Sequence, residues 1–260
     1  MLRNTWMTSS AALVAAYARH NDGILGAVRQ RLLSRALALH LPAGPARIID
    51  VGGGEGYQAI NLARAGHDVV LLDPDRAMLA ATARRLRAEE PAVRDRVALV
   101  RGAAEQAPDL VAGQFDAVCC HGVLMYLDDP AGLLRTLVGL ASPGGLISVL
   151  AKNGEALAMR PALEGRWADA RTALHTGIDE GGRNVVSRAD TVGQVKAILA
   201  AAGAETQKWY GLRIFSDHLG EAPIGPDFDV LCDLEWEAGC RDPYRAVARL
   251  FHVVARRRSR

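Results

Sequence analysis

The sequence predicts an α/β fold: a mostly parallel sheet covered by helices on both faces. Three observations carry this. Short apolar runs at 46–51, 67–72, 96–101, 114–120 and 145–150 alternate with segments of helical periodicity. The runs are continuously apolar, as strands buried on both faces are. The first run opens into Gly52-Gly53-Gly54-Glu55-Gly56, a turn that feeds directly into a helical segment.

The elements follow in order. Residues 8–20 and 25–40 carry apolar side chains at helical spacing, with Leu25, Val28, Leu32, Leu33, Ala36 and Leu39 in the second. Leu41-Pro42-Ala43-Gly44-Pro45 stops that helix. After the glycine turn come a helix at 57–65 ended by Gly66, a strand closed by Asp73-Pro74, and a helix at 76–90. Helix 129–141 separates the fourth and fifth strands. Residues 152–189 break the rhythm with scattered glycines and mixed charge, and read as a cap insertion over one sheet edge. A helix at 191–202, a strand at 205–210, a helix at 228–238 and a last strand within 246–257 complete the sheet domain. The division is an N-terminal helical segment 1–45, a cofactor-binding core 46–151, the cap 152–189 and a C-terminal part 190–260.

Composition narrows the function classes. Half of the 260 residues are hydrophobic, enough for a large core, and 31 basic residues face 29 acidic ones. A net charge of +2 gives no global signal for nucleic acid or an anionic membrane. No run reaches the ~18 apolar residues of a membrane span. The apolar stretch 11–18 is short, contains Tyr17 and continues into charged residues, so it reads as helix rather than a signal peptide, and Met7 is an alternative start to Met1. Cys119, Cys120, Cys232 and Cys240 lack metal-site or disulfide-framework spacing and read as small hydrophobes in a reducing cytoplasm. No metal is expected. The adjacent Cys119 and Cys120 should point to opposite sheet faces.

A strand, a glycine-rich turn and a helix N-terminus make a nucleotide-cofactor site. Glycines let the backbone approach the ligand, and exposed helix N–H groups face its polar atoms. The dinucleotide fingerprint G-x-G-x-x-G fails from Gly52, where Tyr57 stands in place of glycine, and from Gly53, where Glu55 does, and no other start works. Asp50-x-Gly52-x-Gly54-x-Gly56 instead resembles the first motif of class I S-adenosylmethionine methyltransferases. Asp73 ends the second strand, where a carboxylate can accept both ribose hydroxyls. Ala103-Ala104-Glu105, Phe115-Asp116-Ala117-Val118, His121-Gly122-Val123-Leu124 and Ser142-Pro143-Gly144-Gly145 are similar to the later motifs of that family. The resemblance covers residues 46–151. It implies a seven-stranded, mostly parallel Rossmann-like sheet, with S-adenosylmethionine as cofactor and S-adenosylhomocysteine as product.

A second resemblance spans nearly the whole chain, to the tRNA 5-carboxymethoxyuridine carboxyl methyltransferase family. It rests on Gly26-Ala27-Val28-Arg29-Gln30, the run from Asp50 to Gly56, Ala65-Gly66-His67, and Cys120-His121-Gly122-Val123-Leu124-Met125-Tyr126. Gly211, Arg213, Phe215, Asp217 and Leu219 follow, then Leu234-Glu235, Cys240-Arg241, Pro243-Tyr244, His252-Val253 and Ala255-Arg256. Together the two likenesses imply that Arg29, Asp50, Gly52, Gly53, Gly54, Gly56, Asp73, Ala104, Glu105 and His121 form the cofactor site. The expected acceptor is then a carboxylate on a modified tRNA uridine. Against this, residues 152–260 hold 16 basic and 15 acidic residues, which is not an RNA footprint, and the only basic run is Arg256-Arg257-Arg258-Ser259-Arg260. A small metabolite, O- or N-methylated under the cap, is the alternative acceptor. Nothing in the sequence sets an oligomeric state.

Methyl transfer from an activated sulfonium asks the protein mainly for alignment and desolvation. A carboxylate acceptor, ionised at neutral pH, needs orientation rather than a base, and arginine does this best. No Asn/Asp-Pro-Pro-Tyr motif follows the fourth strand. His121 is a candidate base for a hydroxyl acceptor or a wall of the cofactor site. Arg213 is a candidate for binding an acceptor anion or for a surface ion pair. Tyr126, Lys152 and Asn153 lie at strand ends on the cofactor side and are candidate substrate contacts. Trp167, Trp209 and Trp236 read as packing residues or base-stacking platforms.

Overall fold

A computed structural model describes residues 21–176, 178–179, 187–220 and 222–259. The helix expected at 8–20, and the glycines at 177, 181 and 182, lie outside these residues. The strands are β1 (Arg47–Val51), β2 (Asp68–Asp73), β3 (Val97–Arg101), β4 (Phe115–His121), β5 (Ala141–Lys152), β6 (Ala204–Leu212) and β7 (Leu250–Arg257). They form one seven-stranded sheet in the order β3-β2-β1-β4-β5-β7-β6. The first five strands pair in parallel, while β7 runs antiparallel to both β5 and β6. This is the mostly parallel sheet that the apolar runs predict.

The helices are α1 (Ile24–His40), α2 (Tyr57–Arg64), α3 (Arg76–Arg87), α4 (Ala131–Leu140), α5 (Met159–Leu163), α6 (Trp167–Thr176), α7 (Val192–Ala201) and α8 (Phe228–Gly239). Strand alternation sorts the core into two layers. Ile49, Val118 and Cys120 pack with Leu134 and Leu137 of α4 and Leu199 of α7. Their neighbours Ile48, Ala117 and Cys119 pack with Leu25, Val28, Leu32 and Leu33 of α1 and Cys232 of α8. The adjacent cysteines therefore face opposite layers, as their position in one strand requires.

Several boundaries differ from the sequence expectation. The helix expected to reach residue 90 ends at Arg87, and a separate single turn spans Pro91–Arg94. Pro91 disfavours helical geometry at the residue before it, and Glu90 is extended, at φ −57° and ψ 147°. β5 starts at Ala141 rather than 145: Ala141 pairs with Phe115 ahead of an irregularity in the register. Residues 244–247 form a 3-10 turn, so the last strand begins at Leu250 and not at 246.

Between β5 and α7 the chain leaves the sheet and returns to the point of departure. Asn153 and Asp190 form a parallel bridge. The Asp190 N–H donates to the Lys152 carbonyl at 3.1 Å, and the Gly154 N–H to the Asp190 carbonyl at 2.8 Å. The excursion carries α5, α6 and a short antiparallel pair, Ile178–Asp179 with Ser187–Arg188. Arg188 Nη1 donates to the Asp128 carbonyl at 3.2 Å, which sets the excursion against the loop after β4. Among the described residues, no helix is long and apolar enough to cross a membrane, and no group of three or more His, Cys, Asp or Glu side chains could hold a metal.

Candidate active site

The turn after β1 is shaped by contacts that only glycine permits. Gly52 has φ +72°, and a Cβ there would lie 2.4 Å from Val123 Cγ2. A Cβ on Gly53 would lie 2.9 Å from Asp50 Oδ2 and still closer to Leu71. The turn is then tied to its neighbours. Gly54 N–H donates to Asp73 Oδ2 at 2.9 Å, and Asp75 N–H to Asp73 Oδ1 at 2.8 Å. Thr82 Oγ1, from α3, donates to the Gly54 carbonyl at 2.7 Å.

Two carboxylates and one guanidinium converge here. Asp50 is 2% exposed, and its Oδ2 has no hydrogen-bond partner among the described residues. Burial, with Asp73 adding to it, pushes its pKa up to about 7, while Arg29 pulls it down. Asp73 is also raised by burial, an effect opposed by the two backbone N–H groups it accepts. Arg29 reaches in from α1. Its Nη2 donates to Asn21 Oδ1 at 2.8 Å, and its Nη1 lies 4.0 Å from where a Cβ on Gly122 would sit. Asn21 Nδ2 in turn donates to Glu55 Oε2 at 3.3 Å. Ala104 and Glu105 lie on the 3-10 turn Ala104–Gln106 after β3, and the preceding Gly102 N–H donates to the Asp73 carbonyl at 3.2 Å.

His121 closes β4 beside this group. Its Nε2 lies 2.8 Å from Ser148 Oγ, which is 2.7 Å from His252 Nε2. Burial, then the charge of Arg29, pushes His121 down to about 3, so the ring is neutral at physiological pH. Burial likewise lowers His252.

The remaining candidates occupy the same edge of the sheet, two to three strands away. Leu150, two residues before Lys152, is in register with His121, and Lys152 pairs with Leu250, which pairs with Leu212. Lys152 is buried. The Asn153 amide is committed to structure: Nδ2 donates to the Ala246 and Ala248 carbonyls at 3.0 and 2.9 Å, and Oδ1 accepts from Glu155 N–H at 3.1 Å. Arg213 is buried, not on the surface, and it takes a left-handed backbone at φ +62°. Its Nη2 is ion-paired with Asp217 Oδ1, while its Nε has no partner among the described residues. Burial lowers its pKa to about 10, against the opposing pull of Asp217. Arg249 Nε lies 3.7 Å from Asp217 Oδ2. Tyr126 is half-buried on the 3-10 turn Leu124–Tyr126. Of the tryptophans, Trp209 and Trp236 lie under the guanidinium groups of Arg245 and Arg35, and Trp167 is 71% exposed on α6.

Arg29, Asp50, Gly52, Gly53, Gly54, Gly56, Asp73 and His121 therefore gather at the carboxyl ends of β1, β2 and β4, with Ala104 and Glu105 at the β3 end. Lys152, Asn153 and Arg213 form a separate group along the edge. Sequence reasoning missed Asn21, Thr82 and Ser148, and named Glu55, Glu235 and His252 only as motif positions without a role. For Ser148 and His252 a signal existed, since each interrupts an otherwise apolar run, 146–151 and 250–255. The fit to the expected cofactor can be tested on this geometry. A buried carboxylate oxygen without a partner among the described residues, above a floor that admits no Cβ, suits a cationic ligand pressed against backbone. S-adenosylmethionine, with its sulfonium and ammonium groups, is such a ligand.

Comparison with known proteins agrees. Residues 49–147 match the methyltransferase domain family. The chain is 30% identical over 240 residues to the tRNA 5-carboxymethoxyuridine methyltransferase of Escherichia coli O157:H7, covering 89% of each chain. It is 36% identical over 135 residues to a ubiquinone biosynthesis O-methyltransferase of Xanthomonas axonopodis pv. citri, covering 50% of this chain and 52% of that one. In fold it is similar to an S-adenosylmethionine dependent methyltransferase from Mesorhizobium loti, with TM-score 0.58 and 23% identity over 86% of this chain and 96% of that one. The chain is an S-adenosylmethionine-dependent methyltransferase and belongs to the family of the tRNA 5-carboxymethoxyuridine methyltransferases.

Proposed function

We propose that this enzyme methylates a carboxylate, that of 5-carboxymethoxyuridine in tRNA. The observation that supports this reading is the extent of the likeness. Similarity to the Escherichia coli enzyme runs over 89% of both chains and so includes most of the acceptor side, whereas the ubiquinone O-methyltransferase matches half the chain.

S-adenosylmethionine supplies an activated methyl group on its sulfonium. The chain's residues divide the remaining work. Asp73 accepts the ribose hydroxyls, and the backbone of Gly52, Gly53, Gly54 and Gly56 lines the cofactor. Asp50 and Arg29 take the ammonium and carboxylate of its amino-acid end, Ala104 and Glu105 its base, and His121 forms a wall. With its pKa lowered to about 3, His121 is a weak base, and an ionised carboxylate acceptor has no proton to lose. Transfer then depends on orientation. Arg213 provides it through Nε, while its bond to Asp217 fixes the plane of the guanidinium. Tyr126, Lys152 and Asn153 shape the acceptor side, and the cap insertion covers it.

The test is direct. Unmethylated tRNA incubated with the protein and S-adenosylmethionine should yield the methyl ester of 5-carboxymethoxyuridine in nucleoside mass spectrometry. No ester would favour the second reading, a small-molecule acceptor, which the even balance of charge over 152–260 supports. That reading also predicts shallow salt dependence, where RNA predicts a steep one.

A further inference from the structure

Two histidines share one serine hydroxyl in the interior of this sheet. His121, Ser148 and His252 stand on the adjacent strands β4, β5 and β7, on the layer that faces α1. Ser148 and His252 are each 0% exposed. Both imidazoles meet Ser148 through Nε2, and the Nδ1 atoms of both are buried without a partner among the described residues. The two rings are nearly perpendicular, at 89°, with centroids 5.7 Å apart.

A hydroxyl has one proton to donate and two lone pairs to accept with. Both rings are neutral, so each carries one N–H. Ser148 can donate to only one Nε2, and the other must be an N–H that donates to Ser148. If the proton goes to a histidine, two arrangements satisfy this and place opposite tautomers on His121; if it goes to Cys119, which also meets Ser148, both rings donate and His121 is again the Nε2–H tautomer. The charge beside His121 selects between them. Nε2 is turned to Ser148, so in the field of the cationic Arg29, whose Nη1 lies near Gly122, a lone pair on Nδ1 is favoured over an N–H there. His121 therefore donates Nε2–H to Ser148, Ser148 donates to His252 Nε2, and His252 keeps its proton on Nδ1. The thiol of Cys119, raised well above its ordinary value by burial, stays protonated beside the same serine.

We propose that Ser148 and His252 are positioning residues that hold His121 as the Nε2–H tautomer, leaving its Nδ1 lone pair to face the sulfonium of the cofactor. This rests on the reading of His121 as a wall of the cofactor site. Its consequence is discrimination between the two forms of the cofactor. A lone pair attracts the charged methyl donor and has little to offer the neutral sulfide product. An N–H at the same place would repel the donor.

Nitrogen NMR of the 15N-histidine-labelled protein reads the tautomer directly. His121 should show protonated Nε2 and bare Nδ1 in the wild type. Ser148→Ala should release it to a mixture or to the other tautomer. In calorimetry the same change should lower the preference for S-adenosylmethionine over S-adenosylhomocysteine by about three- to tenfold, the worth of one hydrogen bond. His252→Gln, whose amide oxygen can accept from Ser148, should retain both properties, and His252→Leu should lose both. If His252 only fills space, leucine would serve at least as well as glutamine. Protonated Nδ1 on His121 in the wild type, or an unchanged tautomer in Ser148→Ala, would overturn the proposal. Failure of the underlying reading is distinguishable: His121→Ala would then leave both affinities unchanged while the tautomer in the wild type stays as expected.

Discussion

The carboxyl edge of the sheet is built in two ways. At β1 and β2 the site consists of backbone and short-range ties, with Gly54 and Asp75 N–H on Asp73, and Thr82 on Gly54. Past β4 it consists of buried polar and charged groups, some joined over 93 to 104 residues, as Asn153 is to the Ala246 carbonyl and Ser148 to His252. Glu235, on α8 and fully buried, accepts from the N–H groups of Ile214, Phe215 and Ser216 and from Ser216 Oγ. That carboxylate holds the loop in which Arg213 meets Asp217. The first half can be carried by a local motif, because its contacts lie within about three elements. The second exists only when the tertiary fold brings its parts together. The methyltransferase family model, which matches residues 49–147, takes in the first half and ends before Lys152, Arg213 and Glu235.

Four perturbations separate the halves. Glu235→Ala should have the largest effect. It strands three backbone N–H groups and a hydroxyl in the interior, at a cost of about 3 kcal/mol or more in thermal or denaturant unfolding. A loss below about 1 kcal/mol would show that the loop is held by other means. Asp50→Asn should act on stability with a definite sign. The folded pKa of Asp50, about 7, lies above its unfolded value, so the native state binds the extra proton. Wild-type stability without cofactor should therefore be fullest below pH ~4 and fall as the pH rises through about 7. The variant should escape this fall and be the more stable by about 2–4 kcal/mol at pH 8, with the gap closing toward pH 4. Wild-type and variant curves that run parallel across that range would place Asp50 in a more polar setting.

Asp73→Ala should weaken S-adenosylmethionine at least tenfold in calorimetry, since each charge-assisted bond contributes about 1.5–3 kcal/mol. Unchanged affinity would remove Asp73 from the site. The smallest effect belongs to the acceptor half. Arg213→Lys should lower kcat/KM by about tenfold and leave cofactor affinity unchanged, because an ammonium cannot reproduce a planar fork. A matching loss of cofactor affinity would mean that the two halves are coupled through β5 and β7.

What the sequence shows of this molecule follows the same line. Strands β1 to β5 were legible because parallel strands covered on both faces are continuous apolar runs, and the glycine turn because its acid and glycines are consecutive. Arg213 was legible as a candidate and not as a buried ion pair, since nothing in its neighbours announces that the loop turns inward onto Glu235. The bond between Ser148 and His252 spans 104 residues. Each polar residue stood out in its strand, but their partnership depends on β7 running antiparallel beside β5, and no local pattern carries that pairing. Asn153 was read as a substrate contact from its place at a strand end, whereas its amide is spent on carbonyls more than 90 residues away.

The place of β7 has a consequence for how the chain acquires its shape during synthesis. β5 and β6 are not neighbours; β7, which follows both in sequence, lies between them and pairs with each. A ribosome that has released the chain up to residue 249 has therefore released β5 with one edge open and β6 with no strand beside it. Such edges template pairing with other chains, and the long-range contact that closes them is slow to form. The nascent enzyme should be most vulnerable to aggregation in that interval, and most dependent on a chaperone that shields strand edges. Because His252 arrives on that same strand, the hydrogen-bonded chain behind His121 is completed in the step that closes the sheet.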